Sequence, residues 1–279
     1  MSFQNFVPMY WEKKLVIANR KNQTALKIVN RNYEGLIAND GDRVKINSIS
    51  PVTVSDYDPD SVITYSSLTG AAQWLILDKK KIWSCKVDDI DAAQSNVDIT
   101  QAVIDDASYQ LSDTVDTYIY SLWAKAGVTT NLGTTAVPLT VNSGTFLTRL
   151  AAVKRALDDA HCPSQNRFVA MPSWLHQKAV LAKLSNEMTT NQALIDGYAD
   201  KLLGFNIIVS PNIATSGAAT KVLAGTTAAI TYADGLIKTE ALRLQDYASD
   251  GLRGLHIFGA TVVKADCLAC LSCSEAAES

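Results

Sequence analysis

The sequence predicts an α+β fold from three features: stretches in which apolar residues alternate with a period of two, one long stretch with a helical period, and a region where short apolar strands alternate with helices. Of 279 residues, 19% are charged and 47% apolar, against a typical charged share of about 25%. Less surface than usual is built for water, which points to subunit interfaces.

Net charge is −3 at pH 7. A nucleic-acid binder needs clustered Lys and Arg to displace counterions from phosphates, so no tight or sequence-specific grip on DNA is expected. No uninterrupted run of about 20 apolar residues occurs, so nothing is expected to span a bilayer. Residues 1–10 hold no basic segment followed by an apolar one, so no secretory leader is expected. Five cysteines, an odd and scattered number, do not read as a disulfide framework. A reducing cytoplasm is the expected place of assembly.

Residues 1–40 spread Trp11, Leu15, Ile17, Leu26, Ile28 and Val29 among Lys13, Lys14, Arg20, Lys21 and Lys27, which reads as an arm that must dock on the body or on a neighbouring subunit. Val44 and Ile46 then alternate with Arg43, Lys45 and Asn47, and Trp83, Cys85 and Val87 alternate with Ser84, Lys86 and Asp88. Between these two predicted strands lie Pro51, the acidic turn 56–60, Gly70 and a strand-like piece at 74–77. The whole reads as a long hairpin with an excursion, too marginal to stand alone.

Ile104, Ala107, Leu111, Val115, Tyr118, Leu122 and Ala126 share one helical face. A helix over 92–126 would span about 50 Å at 1.5 Å per residue and act as a spine. Asp91 with Gln94 resembles a capping pair, although the start could lie nearer Asp98, and Gly127 offers a left-handed C-terminal cap. A loop follows, with strand character at 137–141. Phe146, Leu150, Val153 and Leu157 then mark an amphipathic helix capped by Asn142 or Ser143. Residues 167–171 form a compact strand, Pro172 opens a helix over 173–184, and 204–211 hold a second buried strand. Strands with intervening helices indicate a mixed layer, and 222–225, 237–242 and 252–263 add further strands.

Candidate chemistry is sparse. Asp56, Asp58 and Asp60 have the spacing of the first ligands of a calcium loop, but Ser61 stands where glycine is needed and Ser67 where a bidentate glutamate belongs, so a polar turn is expected. Cys267, Cys270 and Cys273 recur every third residue, a rhythm of iron-sulfur and zinc sites. No fourth cysteine follows, and Leu268, Ala269 and Leu271 make the stretch read as a buried terminal segment. His161, His176 and His256 stand singly beside no nucleophile motif. Adjacent carboxylates at Asp88-Asp89, Asp105-Asp106 and Asp158-Asp159 point apart on helices. Lys79, Lys80 and Lys81 form the basic triplet, read as solvated rather than phosphate-binding. No catalytic, cofactor or metal residue is assigned, and the chain is not expected to be an enzyme.

In order along the chain, Asn30-Arg31-Asn32-Tyr33-Glu34-Gly35 leads into Gly41-Asp42-Arg43-Val44-Lys45-Ile46, followed by Val87-Asp88-Asp89-Ile90-Asp91-Ala92-Ala93-Gln94. With 167–172, 203–212, Phe258-Gly259-Ala260 and 262–265, this succession resembles the major capsid proteins of tailed bacteriophages over most of the chain. The resemblance implies a Hong Kong 97-like capsid fold: an N-terminal arm (1–40), an extended β-hairpin loop (41–87), a peripheral domain with the spine helix (88–143), an axial α/β domain (144–250), and C-terminal strands returning to the peripheral domain with a tail (251–279).

It also implies a virion location, pentamers and hexamers of the chain itself, and packaged double-stranded DNA held without sequence-specific contacts. Partners would be a portal and possible cementing proteins. Because the arm begins within a few residues of Met1, a separate scaffolding protein is expected in place of an N-terminal assembly domain. Some relatives crosslink lysine to asparagine; nothing marks Lys79 to Lys81 for that role. The alternatives are an encapsulin-like compartment shell and an α/β enzyme with an unrecognised site.

Overall fold

The computed structural model describes residues 24–32, 43–49, 54, 56, 70–88, 99–186, 201–244 and 249–277. Two strands come first, β1 (Arg43–Ile49) and β2 (Gly70–Ile76), joined as an antiparallel hairpin with Lys45 opposite Trp74. The alternation at 83–87 lies in a separate strand, β3 (Lys79–Asp88). The expected pairing of the first and last of these strands is therefore corrected. β3 runs antiparallel to a strand far downstream, with Trp83 opposite Gly254. An alternating strand has one face to bury, but its pattern does not say which edge its partner comes from.

Helix α1 (Ile99–Ser121) follows, with 23 residues and a length of about 35 Å at 1.5 Å per residue. Its expected start, with Asp91, Gln94 and Asp98, lies outside the described residues. At its other end a 3-10 turn, Leu122–Lys125, passes into extended backbone at Ala126 (φ −67°, ψ 129°). Gly127 is not among the glycines with positive φ, which corrects the expected left-handed cap. Glycine is needed there for close approach, because a Cβ would lie 2.8 Å from both the carbonyl carbon and oxygen of Ala265. The N–H of Gly127 donates to that same oxygen at 3.0 Å.

The next elements are β4 (Leu139–Val141), α2 (Ser143–Asp159), β5 (Arg167–Met171), α3 (Ser173–Asn186), β6 (Lys201–Leu202) and β7 (Phe205–Val209). Asn142 is the N-cap of α2: its Oδ1 accepts the N–H of Thr145 at 2.9 Å while the Thr145 hydroxyl accepts the N–H of Asn142 at 3.0 Å. This reciprocal pair satisfies two N–H groups at the helix start. β5 and β7 are parallel neighbours joined through α3, the connection a parallel pair requires. All five residues of β5 are buried.

Five strands complete the chain: β8 (Thr215–Ser216), β9 (Ala219–Thr226), β10 (Ile230–Arg243), β11 (Ser249–Val262) and β12 (Leu268–Glu275). They close a three-stranded sheet in the order β10-β11-β3 and a seven-stranded sheet in the order β4-β12-β9-β5-β7-β6, with β8 on β9. β11 lies beside β3, and β12 is inserted between β4 and β9 in the larger sheet. Its run from Leu268 to Cys273 is fully buried, so it needs cover on both faces. Phe146, Leu150 and Leu175 from α2 and α3 meet Val169, Val222 and Leu271 of this sheet around one space.

Candidate assembly surfaces

The arm is held to α1 by a buried carboxylate. Asp116 accepts the N–H of Thr24 through Oδ2 and that of Ala25 through Oδ1, each at 3.0 Å, at the head of the short 3-10 helix Ala25–Lys27. Thr24 and Tyr120 hydroxyls share a 2.8 Å bond. Burial pushes the Asp116 carboxyl above its ordinary range against the two N–H donors that favour its charge, and burial pushes Tyr120 up to about 12. Further along, Asn30 donates to Ile230 and accepts from Tyr232 on β10, and Arg31 reaches Asp234 at 3.3 Å. The arm segment thus adds to the β10 edge.

The hairpin divides its side chains cleanly. Leu75 and Leu77 join Ile46 in a small core with Ala233 of β10 and Ile257 of β11. Trp74 and Ile76 point the other way and are 45% and 43% exposed, with the Arg43 guanidinium 5.7 Å from the Trp74 ring centre. Ile82 on β3 is 71% exposed and Leu242 on β10 is 42% exposed. A groove of about 410 Å³ at the far end of the three-stranded sheet, away from the hairpin, is lined by Cys85, Leu242, Leu244, Gly251, Leu252 and Arg253. Among the described residues the outer edge of β3 has no strand partner, and it carries Lys79, Lys80, Lys81 and Lys86, charges that discourage edge-to-edge pairing.

The residues singled out by sequence fall in different places. Asp56 is exposed, and Asp58 and Asp60 lie outside the described residues. Cys267 ends a 3-10 turn while Cys270 and Cys273 lie on β12, an odd number of residues apart and so on opposite faces. Among the described residues no three His, Cys, Asp or Glu side chains are placed to hold a metal ion. Burial pushes the Cys270 thiol up and that of Cys273 up to about 12. His161 is exposed and His176 half-buried, while His256 is buried 3.7 Å from Asp234 with its Nδ1 unpartnered. Asp105 and Asp106 are exposed on α1; Asp158 and Asp159 turn to different arginines, Arg167 and Arg155. Lys79 bonds Asp78 at 3.0 Å and lies over the Tyr118 ring.

Sequence reading missed the buried polar anchors Asp116, Arg167 and Lys221 and the half-buried Asp234. Asp116 falls in line with Ile119, Tyr120 and Trp123 at helical spacing, and a lone carboxylate in an apolar row is the signal that could have found it. Arg167, buried at the head of β5, donates to the carbonyls of Cys162 and Pro163. Lys221 on β9 donates to Thr135 and Ser272 at 2.7 and 2.8 Å and lies 4.6 Å from the Trp123 ring centre. Asp234 accepts from the Tyr232 hydroxyl at 3.2 Å and faces His256.

Over nearly its whole length the chain is similar in fold to solved phage structures. A structure from Mycobacterium phage Che8 matches with a TM-score of 0.83 and 24% identity over 96% of this chain and 98% of that one. The capsid structure of the cyanophage P-SCSP1u matches with a TM-score of 0.78 and 15% identity over 99% and 94%. The capsid of a native GTA particle matches with a TM-score of 0.68 and 9% identity over 97% and 96%. No curated protein sequence matches. The mixed helix-and-sheet fold is consistent with the Hong Kong 97-like capsid fold expected from the sequence. The profile of the phage capsid protein family covers residues 86–271, two thirds of the chain; the chain belongs to that family and is a structural major capsid protein of the virion shell.

Proposed function

We propose that copies of this chain close an icosahedral head as pentamers and hexamers, and that the arm and the 41–87 loop reach across neighbouring copies while 144–250 meet around the capsomer axes. The observation that supports this reading is the outward row Trp74 and Ile76 on the hairpin, together with Ile82 on β3, large apolar side chains left uncovered on a single copy. Buried in an interface, each contributes about 1.5–3 kcal/mol. The shell encloses double-stranded DNA mechanically, without sequence-specific contacts, in keeping with the net charge of −3. A separate scaffolding protein directs closure, a portal occupies one vertex, and cementing proteins join where present. No catalytic step is part of this role.

Analytical ultracentrifugation with negative-stain imaging of the fastest fraction, with and without a co-expressed scaffolding candidate, tests the reading. Closed shells or capsomer rings are expected, with nucleic acid as the contents of shells made during infection. A persistent folded monomer or dimer under both conditions would overturn it, and shells filled with an enzyme would move the chain to an encapsulin-like role.

A further inference from the structure

Cys162 and Cys267 stand 105 residues apart in sequence and meet over one end of β9. The topology brings them there. Arg167 begins β5 opposite Thr226, and Leu268 begins β12 opposite Gly225, so the loop before β5 and the turn before β12 converge on the same end of the strand between them. The Cys162 sulfur lies 4.0 Å from the carbonyl oxygen of Cys267 and 3.7 Å from that of Pro163, and the Cys267 thiol is close enough to raise its titration. Both residues are buried and both thiols are free.

The cysteine-bearing loop has little freedom to carry its sulfur away. The Arg167 guanidinium donates to the carbonyls of Cys162 and Pro163 at 2.5 and 2.8 Å, and the N–H of Cys162 is bonded to Leu157 at 3.0 Å. His161 takes the left-handed conformation (φ 55°), a backbone state that holds only where its surroundings fix it. Beside the pair opens a groove of about 690 Å³ lined by Ala160, two residues before Cys162, and Asp266, next to Cys267, with Arg155 and Asp159 at its wall. Neither cysteine lines the groove and both are buried, so an oxidant reaches them when this wall opens locally.

We propose that Cys162 and Cys267 are a latent disulfide, closed by exchange with a low-molecular-weight disulfide once the protein has left a reducing compartment. The Cys162 thiolate attacks one sulfur of the small disulfide and expels the other as a thiolate. The Cys267 thiolate then attacks the Cys162 sulfur of the mixed disulfide and expels the second small thiolate. The two protons of the protein thiols pass to the two leaving thiolates, so two protein thiols are oxidised and one small disulfide is reduced to two thiols. Desolvation holds the Cys162 thiol at about 11, so closure is slow at neutral pH and quickens about tenfold per pH unit below that value. The closed bond ties the end of α2 to the start of β12 and spans most of the larger sheet, which restricts the unfolded chain.

The test uses the full chain, purified reduced and then incubated for a long period with oxidised glutathione at about pH 8.5, where the small thiolate fraction is roughly thirty times that at pH 7. The bond lies within one chain, so the result reads the same whether or not copies assemble. Three of the five thiols should titrate afterwards in denaturant, a non-reduced digest should yield the Cys162–Cys267 linked peptides, and melting should rise by about 5 °C or more. Cys267→Ser should instead retain glutathione on Cys162. Five free thiols after prolonged oxidation, or glutathione adducts on wild-type Cys162 and Cys85 without the linked peptides, would overturn the proposal.

Discussion

Asp158 and Arg167 are joined at 2.6 Å across the loop that separates α2 from β5, the arginine side chain 3% exposed and the aspartate 48%. Because Arg167 also donates to the carbonyls of Cys162 and Pro163, one buried guanidinium holds the whole connection. Arg167→Met leaves those carbonyls without their donor and should cost about 3–5 kcal/mol, the range for breaking a buried charged network. Asp158→Asn, at a half-exposed partner, should cost only about 1 kcal/mol. Urea unfolding of the unassembled chain measures both, and equal losses would show that the carbonyl bonds contribute little.

At the arm, Asp116→Ala removes the acceptor of the Thr24 and Ala25 N–H groups and should cost about 2–3 kcal/mol, as two buried donors lose their partner. The pH dependence has a definite sign. Burial raises the Asp116 carboxyl above its ordinary 3.8, so the folded state holds this proton more tightly than the unfolded state does. The group's contribution is fully present below the unfolded value and is lost as pH rises through the raised one. Relative to Asp116→Asn, wild-type stability should therefore fall with rising pH over that interval; a rise would mean that the two N–H bonds outweigh desolvation.

Elements that bury themselves locally were legible in the sequence, and elements defined by distant partners were not. β5 and β7 are short apolar runs with Pro172, Gly204 and Pro211 as punctuation, and α2 carries its own cap in Asn142 and Thr145. By contrast, the pairing of Trp83 with Gly254 joins segments far apart in sequence, and alternation specifies a face rather than an edge. Gly127 was legible as a break but not as the point where Ala265 passes against the backbone. Buried Arg167, Asp116 and Lys221 read as ordinary surface charges until their partners are in place.

Gly259 on β11 sits directly beneath β2, where a Cβ would collide with the backbone carbonyl of Ile76. Backbone cannot move aside as a flexible side chain does, so Gly259→Val should lift the hairpin from the Ile46, Leu75 and Ile257 cluster at a cost of about 1–3 kcal/mol. Faster hydrogen exchange of β1 and β2 amides, with the α2 amides unchanged, is the expected reading. Uniform exchange across both regions would place the damage in the main core instead.

Lys221 is buried with two hydroxyls and the Trp123 ring as partners, and no carboxylate pairs with it among the described residues. An ammonium so placed keeps a desolvation cost that hydroxyls and a π face only partly offset. Lys221→Met retains the stem against Trp123 and should change stability by less than about 1.5 kcal/mol, whereas Lys221→Glu should cost more than about 3 kcal/mol by turning that face repulsive. Denaturant midpoints at constant slope measure both, and a large loss in Lys221→Met would make the cation itself the tie between β9 and the loop carrying Thr135.

Exposed apolar side chains on the hairpin and β3 separate folding from assembly. Ile82 is 71% exposed and Trp74 45% exposed on one copy, so neither contributes much to the core of that copy. Ile82→Ser and Trp74→Ser should change the stability of the unassembled chain by no more than an ordinary surface substitution, within about 0.5 kcal/mol. Each truncation at an interface should weaken every copy-to-copy contact by about 1–2 kcal/mol, and a closed shell repeats that loss at each contact. The critical concentration for shell formation, read by light scattering, should therefore rise at least tenfold, since about 1.4 kcal/mol per contact is already a factor of ten. Unchanged assembly would show that these side chains stay in solvent in the shell, and would leave the Leu242 and Leu252 groove as the contact to alter next.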